Sequence, residues 1–293
     1  KWEIFLGMLL KRLIGAIPVH EGIVVQSIGF SSYRPLGAPE IAASNFGAWG
    51  IDEIMLFDID ASARGSLINL DQVSRVSSNT FVPLVAGGGI TELNHITMLL
   101  NAGADKVLIN NGAVENRTLV RSAVERFGAQ CIIAGLDVKN ISNGSYEVVT
   151  KSGSHNTGMD PVELAAEYAS WGVGELFINC VDRDGLGLGY DLGLAKEIAN
   201  AVLNPVIFAG GAGHPRHILE LLTTVDVSPA IGNMLHFSEH SVAVIKAYLI
   251  LHGLPFRYPS NLDYGRFEFG NHGRIAALSD ELLAEQVFDN IAE

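Results

Sequence analysis

The sequence predicts an α/β fold of the (β/α)8 barrel class (a TIM barrel), built from two half-barrel repeats and followed by a C-terminal extension. Two observations carry this expectation. Short apolar runs alternate with longer segments of helical spacing along the whole chain, and three strand-end motifs recur in order at nearly one spacing. Alternating β and α implies a parallel sheet, and eight repeats fit closure into a barrel. Strands are expected at residues 13–19, 54–59, 82–86, 107–110, 131–138, 176–181, 205–209 and, as the faintest signal, 228–231. The intervening segments have helical spacing; residues 161–171, with Asp160 as N-cap, are an example. A doubly wound open sheet is the alternative. It wants a Gly-rich turn after the first strand, and Val19-His-Glu-Gly-Ile23 is not one.

The repeat is seen in three places. Val82-Pro-Leu-Val-Ala-Gly-Gly-Gly-Ile90 resembles Asn204-Pro-Val-Ile-Phe-Ala-Gly-Gly-Ala-Gly213, with Gly87 and Gly210 separated by 123 (210 − 87). Asp58-Ile-Asp60 recurs as Asp182-Arg-Asp184, at 124 (182 − 58), and Leu13-Ile-Gly-Ala-Ile-Pro-Val19 matches Ile132-Ile-Ala-Gly-Leu-Asp-Val138 at 119 (132 − 13). Three matches in one order read as two halves of four βα units.

Composition narrows the class further. A chain of 293 residues with 48% hydrophobic and 17% charged residues can bury a large core. A formal net charge of −13 argues against a nucleic-acid surface, which needs clustered Lys and Arg. It leaves room for a small phosphate ligand, because backbone N–H groups hold phosphate without side-chain charge. The two cysteines, Cys131 and Cys180, have neither disulfide-framework nor metal-ligand spacing. The expectation is a soluble cytoplasmic protein with no membrane span, no metal and no cofactor.

In such barrels the chemistry sits at the C-terminal strand ends. The runs Gly87-Gly88-Gly89 and Gly210-Gly211-Ala212-Gly213 predict two phosphate sites on opposite sides of the mouth. Asp137, ending the fifth strand, is the candidate general acid or base. Its repeat partner is Pro18, which cannot transfer a proton, so the barrel has one central acid where two-fold symmetry would allow two. Asp58, Asp60, Asp182 and Asp184 crowd neighbouring strand ends, some as turn or cap residues; Asp184 and His20 are possible auxiliary groups. At the opposite end Arg12, Glu53, Lys106 and Glu175 each precede a strand and could form a ring closing the barrel bottom, either as a gate or as an ion-pair plug.

Across about residues 8–253 these motifs resemble the cyclase subunit of the imidazole glycerol phosphate synthase family. The resemblance rests on Met8-Leu-Leu-Lys-Arg-Leu-Ile14, Leu56-Phe-Asp-Ile-Asp-Ala-Ser62, Gly87-Gly-Gly-Ile90, Gly103-Ala-Asp-Lys-Val107, Gly153-Ser-His-Asn-Thr-Gly158, Asp182-Arg-Asp-Gly185 and Gly210-Gly-Ala-Gly213. It implies a partner glutaminase subunit whose ammonia passes through the barrel to a phosphate-bearing small-molecule substrate. It also implies that Asp137 is a catalytic aspartate, and that Gly88, Gly89, Asn110 and Asn111 lie near one phosphate. Gly185, Gly211, Gly213 and Asn233 would lie near the other, and Arg12, Glu53, Lys106 and Glu175 would form the ammonia gate.

The departures from the family are specific. Pro18 stands where the family has its first catalytic aspartate, and Gln26 where it has a substrate-contacting lysine; Asn111 replaces a usual Thr and Asn233 a usual Ser. With Arg34-Pro-Leu-Gly-Ala-Pro39 and Gly144-Ser-Tyr-Glu-Val-Val149, the chain resembles the branch associated with amidation of surface-polysaccharide (O-antigen) sugars. There a separate sugar amidotransferase would use the ammonia to make an acetamidino sugar. The alternatives are a genuine histidine-pathway cyclase, a conduit protein with little chemistry of its own, and a sugar-phosphate isomerase barrel, which also expects an acid where Pro18 lies. Residues 1–7 read as an N-terminal extension and 254–293 as a C-terminal one. The latter contains an amphipathic helix over 279–291 with Ser279 as N-cap.

Overall fold

A computed structural model describes residues 10–142, 144–238, 240–257, 269–270 and 274–276. The N-terminal extension and the helix expected at 279–291 lie outside the described residues. Among the described residues twelve strands follow in chain order: β1 (Ile14–His20), β2 (Ile23–Ile28), β3 (Ser32–Gly37), β4 (Glu53–Asp58), β5 (Leu84–Gly87) and β6 (Lys106–Ile109) come first. Then come β7 (Ile132–Ser142), β8 (Ser145–Thr150), β9 (His155–Asn156), β10 (Glu175–Cys180), β11 (Val206–Ala209) and β12 (Ser228–Ile231). Eight of them, in the order β1-β4-β5-β6-β7-β10-β11-β12, pair in parallel and close because β12 pairs with β1. Helices between the strands cover the outside, and the chain is a closed (β/α)8 barrel. The faint eighth strand is present as expected. None of the described helices is long and apolar enough to cross a membrane.

The other four strands are two antiparallel hairpins absent from the sequence expectation. β2 and β3 fold back from β1, and β8 and β9 from β7. They follow equivalent strands of the two halves, so the repeat extends to the loops. Strand register also corrects its spacing. Glu53 and Glu175 open β4 and β10, Leu84 and Val206 open β5 and β11, and Lys106 and Ser228 open β6 and β12, each pair 122 apart (175 − 53, 206 − 84, 228 − 106). The glycine equivalents are therefore Gly88 and Gly210, and the counterpart of Asp58 is Cys180 rather than Asp182. The first strands keep the 119 spacing: Pro18 pairs with Phe57, and Asp137 with Asn179.

Inside the barrel, inward positions two apart along each strand stack in layers of four from alternate strands. Ile14, Val85, Ile133 and Ile207 make one apolar layer, and Met55, Leu108, Phe177 and Ala230 the next. Above them come four small residues, Ala16, Gly87, Gly135 and Ala209, which leave room beneath the mouth. A larger core lies between strands and helices, with Phe46, Tyr168 and Phe208 fully buried.

Candidate active site

Asp137 lies on β7 where that strand begins to pair with β8 as well as β10, and only 6% of it is exposed. Its neighbours come from the flanking strands. Asn110, just after β6, donates from Nδ2 to Oδ2 at 2.8 Å, and Asn179 of β10 donates to Oδ1 at 3.1 Å. Burial pushes the Asp137 carboxyl up to about 6, against the two amide hydrogen bonds. Among the described residues no cation offsets that rise, and a carboxyl raised in this way suits either direction of proton transfer.

The mouth holds two cavities that share Phe30, Phe57, Ile59, Phe177 and Asn179. Phe57 and Phe177, 6.4 Å apart between ring centroids, form their common wall. One cavity contains Asp137, Gly88, Gly89, Asn110, Asn111 and Ser152. The other contains Pro18, Ser27, Tyr33, Asp184, Gly185, Gly211 and Asn233. The sequence-predicted phosphate residues thus separate into two symmetry-related groups. At Gly89 (φ +72°) a Cβ would lie 1.9 Å from the Ser66 carbonyl oxygen, and at Gly211 (φ +103°) 2.1 Å from that of Gly189. Only glycine fits at either place, and bare backbone meets the cavity.

Asp184 is the acid of the Pro18 side. Burial raises its carboxyl to about 6 despite a hydrogen bond from Ser27, and the charge of Asp137 adds to the rise. Its Oδ2, like Asn110 Oδ1, is buried without a hydrogen-bond partner among the described residues. Both are open positions for a ligand.

The remaining acids are structural. Asp58 accepts from Asp60 N–H, Ala61 N–H and Arg64, Asp60 holds His20 and the Glu21 N–H, and Asp182 accepts from Asn140 N–H. Two expectations are corrected. His20 is bonded to Asp60 at 2.9 Å and stacked on Tyr33, and it lines neither cavity. Gly213 also lines neither: it sits against Gly187, and its N–H donates to His217. Gln26 pairs with Arg34 across the β2–β3 hairpin, away from both cavities. Ser27, Phe30, Tyr33 and Ser152, missed from the sequence, are all brought in by the two hairpins. Phe30 takes a left-handed backbone (φ +55°), unusual for so large a side chain, and lines both cavities.

At the other end, Arg12 bonds Glu53 and Glu175, each at 2.5 Å, while Lys106 bonds Glu53 at 3.0 Å and Glu175 at 2.5 Å. Each cation touches both anions, and the ring closes. Burial alone would raise the Glu175 carboxyl, but Arg12 and Lys106 outweigh it and hold it below its ordinary value.

The molecule is thus a (β/α)8 barrel with paired glycine loops and a buried carboxylate at one end and a closed charged ring at the other. The chain matches the histidine biosynthesis protein family over residues 12–241, and it belongs to that family. It is similar to a protein of Exiguobacterium sp. named imidazole glycerol phosphate synthase subunit HisF: 40% identical over 253 residues, covering 86% of this chain and 98% of that one.

Proposed function

We propose that this chain is the ammonia-using barrel subunit of a glutamine amidotransferase system resembling imidazole glycerol phosphate synthase. A glutaminase subunit would dock at the ring end, and a phosphate-bearing acceptor would bind at the mouth of a cytoplasmic complex. The observation that carries this reading is the axial arrangement: a closed ring of Arg12, Glu53, Lys106 and Glu175, two apolar layers, a layer of small residues, then Asp137. Neutral ammonia can cross apolar layers that exclude ions. The ring face also carries Phe81 and Leu203, both fully exposed and equivalent in the repeat (203 − 81 = 122). Exposed apolar side chains around a charged centre suit a partner surface.

Two acceptors compete. The likeness to HisF supports imidazole glycerol phosphate formation, with phosphates at Gly89/Asn111 and Gly211/Asn233. Pro18, in the place that two-fold symmetry would give a second central acid, favours ammonia delivery for acetamidino-sugar formation in surface-polysaccharide biosynthesis, through a separate sugar amidotransferase. The test is to supply the purified chain with ammonium and the phosphoribosyl substrate of the synthase, beside Pro18→Asp. On the sugar reading, wild-type turnover is absent or very slow and Pro18→Asp raises it. Wild-type turnover at the pace of a normal cyclase would remove that reading and leave the histidine-pathway one.

A further inference from the structure

His95 and His217 lie 122 apart (217 − 95), the spacing of the half-barrel repeat, in the first turns of the helices Leu93–Asn101 and Pro215–Thr224. In both, ring Nδ1 accepts a hydrogen bond from the backbone N–H four residues earlier. Thr91 donates to His95 at 3.3 Å and Gly213 to His217 at 3.2 Å. This resembles a capping box, in which a side chain at the third helical position reaches back to a free amide. An accepting Nδ1 carries no proton, so each neutral ring holds its proton on Nε2.

The donors stand two residues beyond Gly89 and Gly211, at the junction of glycine loop and helix. With these N–H groups taken by the rings, they are withheld from an anion at the mouth. On the second side the mouth cavity reaches Ala212 but not Gly213; on the first, an outer cavity beside Gly89 and Asn111 takes in Thr91 as well, and there it is the bond to His95 that occupies the Thr91 N–H. The bond also ties the trailing end of each loop to the first helical turn, which limits how the Gly89 and Gly211 amides can tilt. Thr91 also brings its hydroxyl to 3.5 Å from the same His95 nitrogen, a contact that Gly213 cannot make, and both depend on the ring.

We infer that His95 and His217 are positioning residues of the two anion sites, each holding one glycine loop in shape for a phosphate monoester. The inference rests on the phosphate reading of those loops. It is tested by isothermal titration with inorganic phosphate, together with phosphate-soaked crystals that assign the sites. His217→Ala should weaken the Gly211 site alone by roughly fivefold, the net worth of one hydrogen bond. His95→Ala should weaken the Gly89 site alone, by a similar factor. His217→Asn, whose Oδ1 can replace Nδ1, should restore affinity and also serves if the alanine variant does not fold. With phosphate bound by wild type, unchanged affinity in His217→Ala overturns the inference, as does equal weakening of both sites alongside a lowered Tm. A wild-type protein that binds no phosphate at either loop overturns the phosphate reading itself, and the inference falls with it.

Discussion

Glu53 and Glu175 at one end of the barrel, and Asp137 and Asp184 at the other, are all carboxylates largely withdrawn from water, yet their surroundings differ in kind. At the bottom every carboxylate oxygen of the ring meets a cation. At the mouth, among the described residues, Asp137 has the amides of Asn110 and Asn179 alone, and Asp184 keeps an unpartnered oxygen. The Glu175 carboxyl is accordingly held down, while Asp137 and Asp184 rise to about 6. Burial acts the same way on all three; the neighbouring charge decides the sign. A carboxylate locked in its ionised form suits closure and electrostatics. One poised near neutrality suits proton transfer.

The largest expected effect breaks the mouth side of that contrast. Asp137→Asn keeps the shape but removes the proton, so ammonium-dependent turnover should fall by about a thousandfold, within the usual range for a positioned acid or base. The fold should survive, because burial opposes the charge that the substitution removes. Turnover within a few-fold of wild type would show that Asp137 is not the proton-transfer group and would move attention to Asp184.

Both ends of this contrast were partly legible in the sequence. The ring was visible because its four members each precede an apolar strand, and a barrel brings strand starts to one depth. Asp137 was visible because it ends an apolar run. Asp184 was harder to separate from Asp58, Asp60 and Asp182, since all four end strands. What divides them is whether local N–H groups and Arg64 or Asn140 claim the oxygens, which depends on loop paths. The hairpins were missed for a related reason. Ile23-Val-Val-Gln-Ser-Ile28 and Ser145-Tyr-Glu-Val-Val-Thr150 have strand composition, but the βα repeat reads the segments between barrel strands as helical, so no strand is expected there. With the hairpins went Ser27, Phe30, Tyr33 and Ser152.

At the ring, Glu175→Gln leaves Arg12 and Lys106 sharing one anion. Breaking a well-buried pair costs about 3–5 kcal/mol. Since Arg12 and Lys106 keep 26% and 19% of their side chains exposed, a loss of about 2 kcal/mol in chemical denaturation is expected after allowing for solvent screening. The gate reading adds that glutamine-driven amidation with the glutaminase bound should change in Glu175→Gln and Lys106→Ala, while activity with free ammonium is largely kept. If both activities fall together with stability, the ring is a plug and the conduit part of the proposal fails.

The smallest effect sharpens the comparison through pH. Asp137 and Asp184 have folded values above their unfolded ones, so each contributes stability through its protonated form. That contribution is complete below the ordinary carboxylate range and is lost as pH rises through about 6. Glu175 is depressed, so its contribution is present above its ordinary value and is lost only as pH falls below that range. Stability should therefore decline between about pH 4 and pH 7 from the mouth, and at more acid pH from the ring. For Asp137 the rise from 3.8 to about 6 corresponds to an upper figure of roughly 3 kcal/mol. Urea denaturation across this range should show the decline in wild type. Asp137→Asn should make it shallower, leaving the share of Asp184, and leave the protein more stable than wild type at pH 7.5, whereas Glu175→Gln should keep the decline and remove the ring's share of the acid loss. A decline that Asp137→Asn leaves unchanged would mean that the buried mouth carboxylate is not raised, and the electrical difference between the two ends would disappear with it.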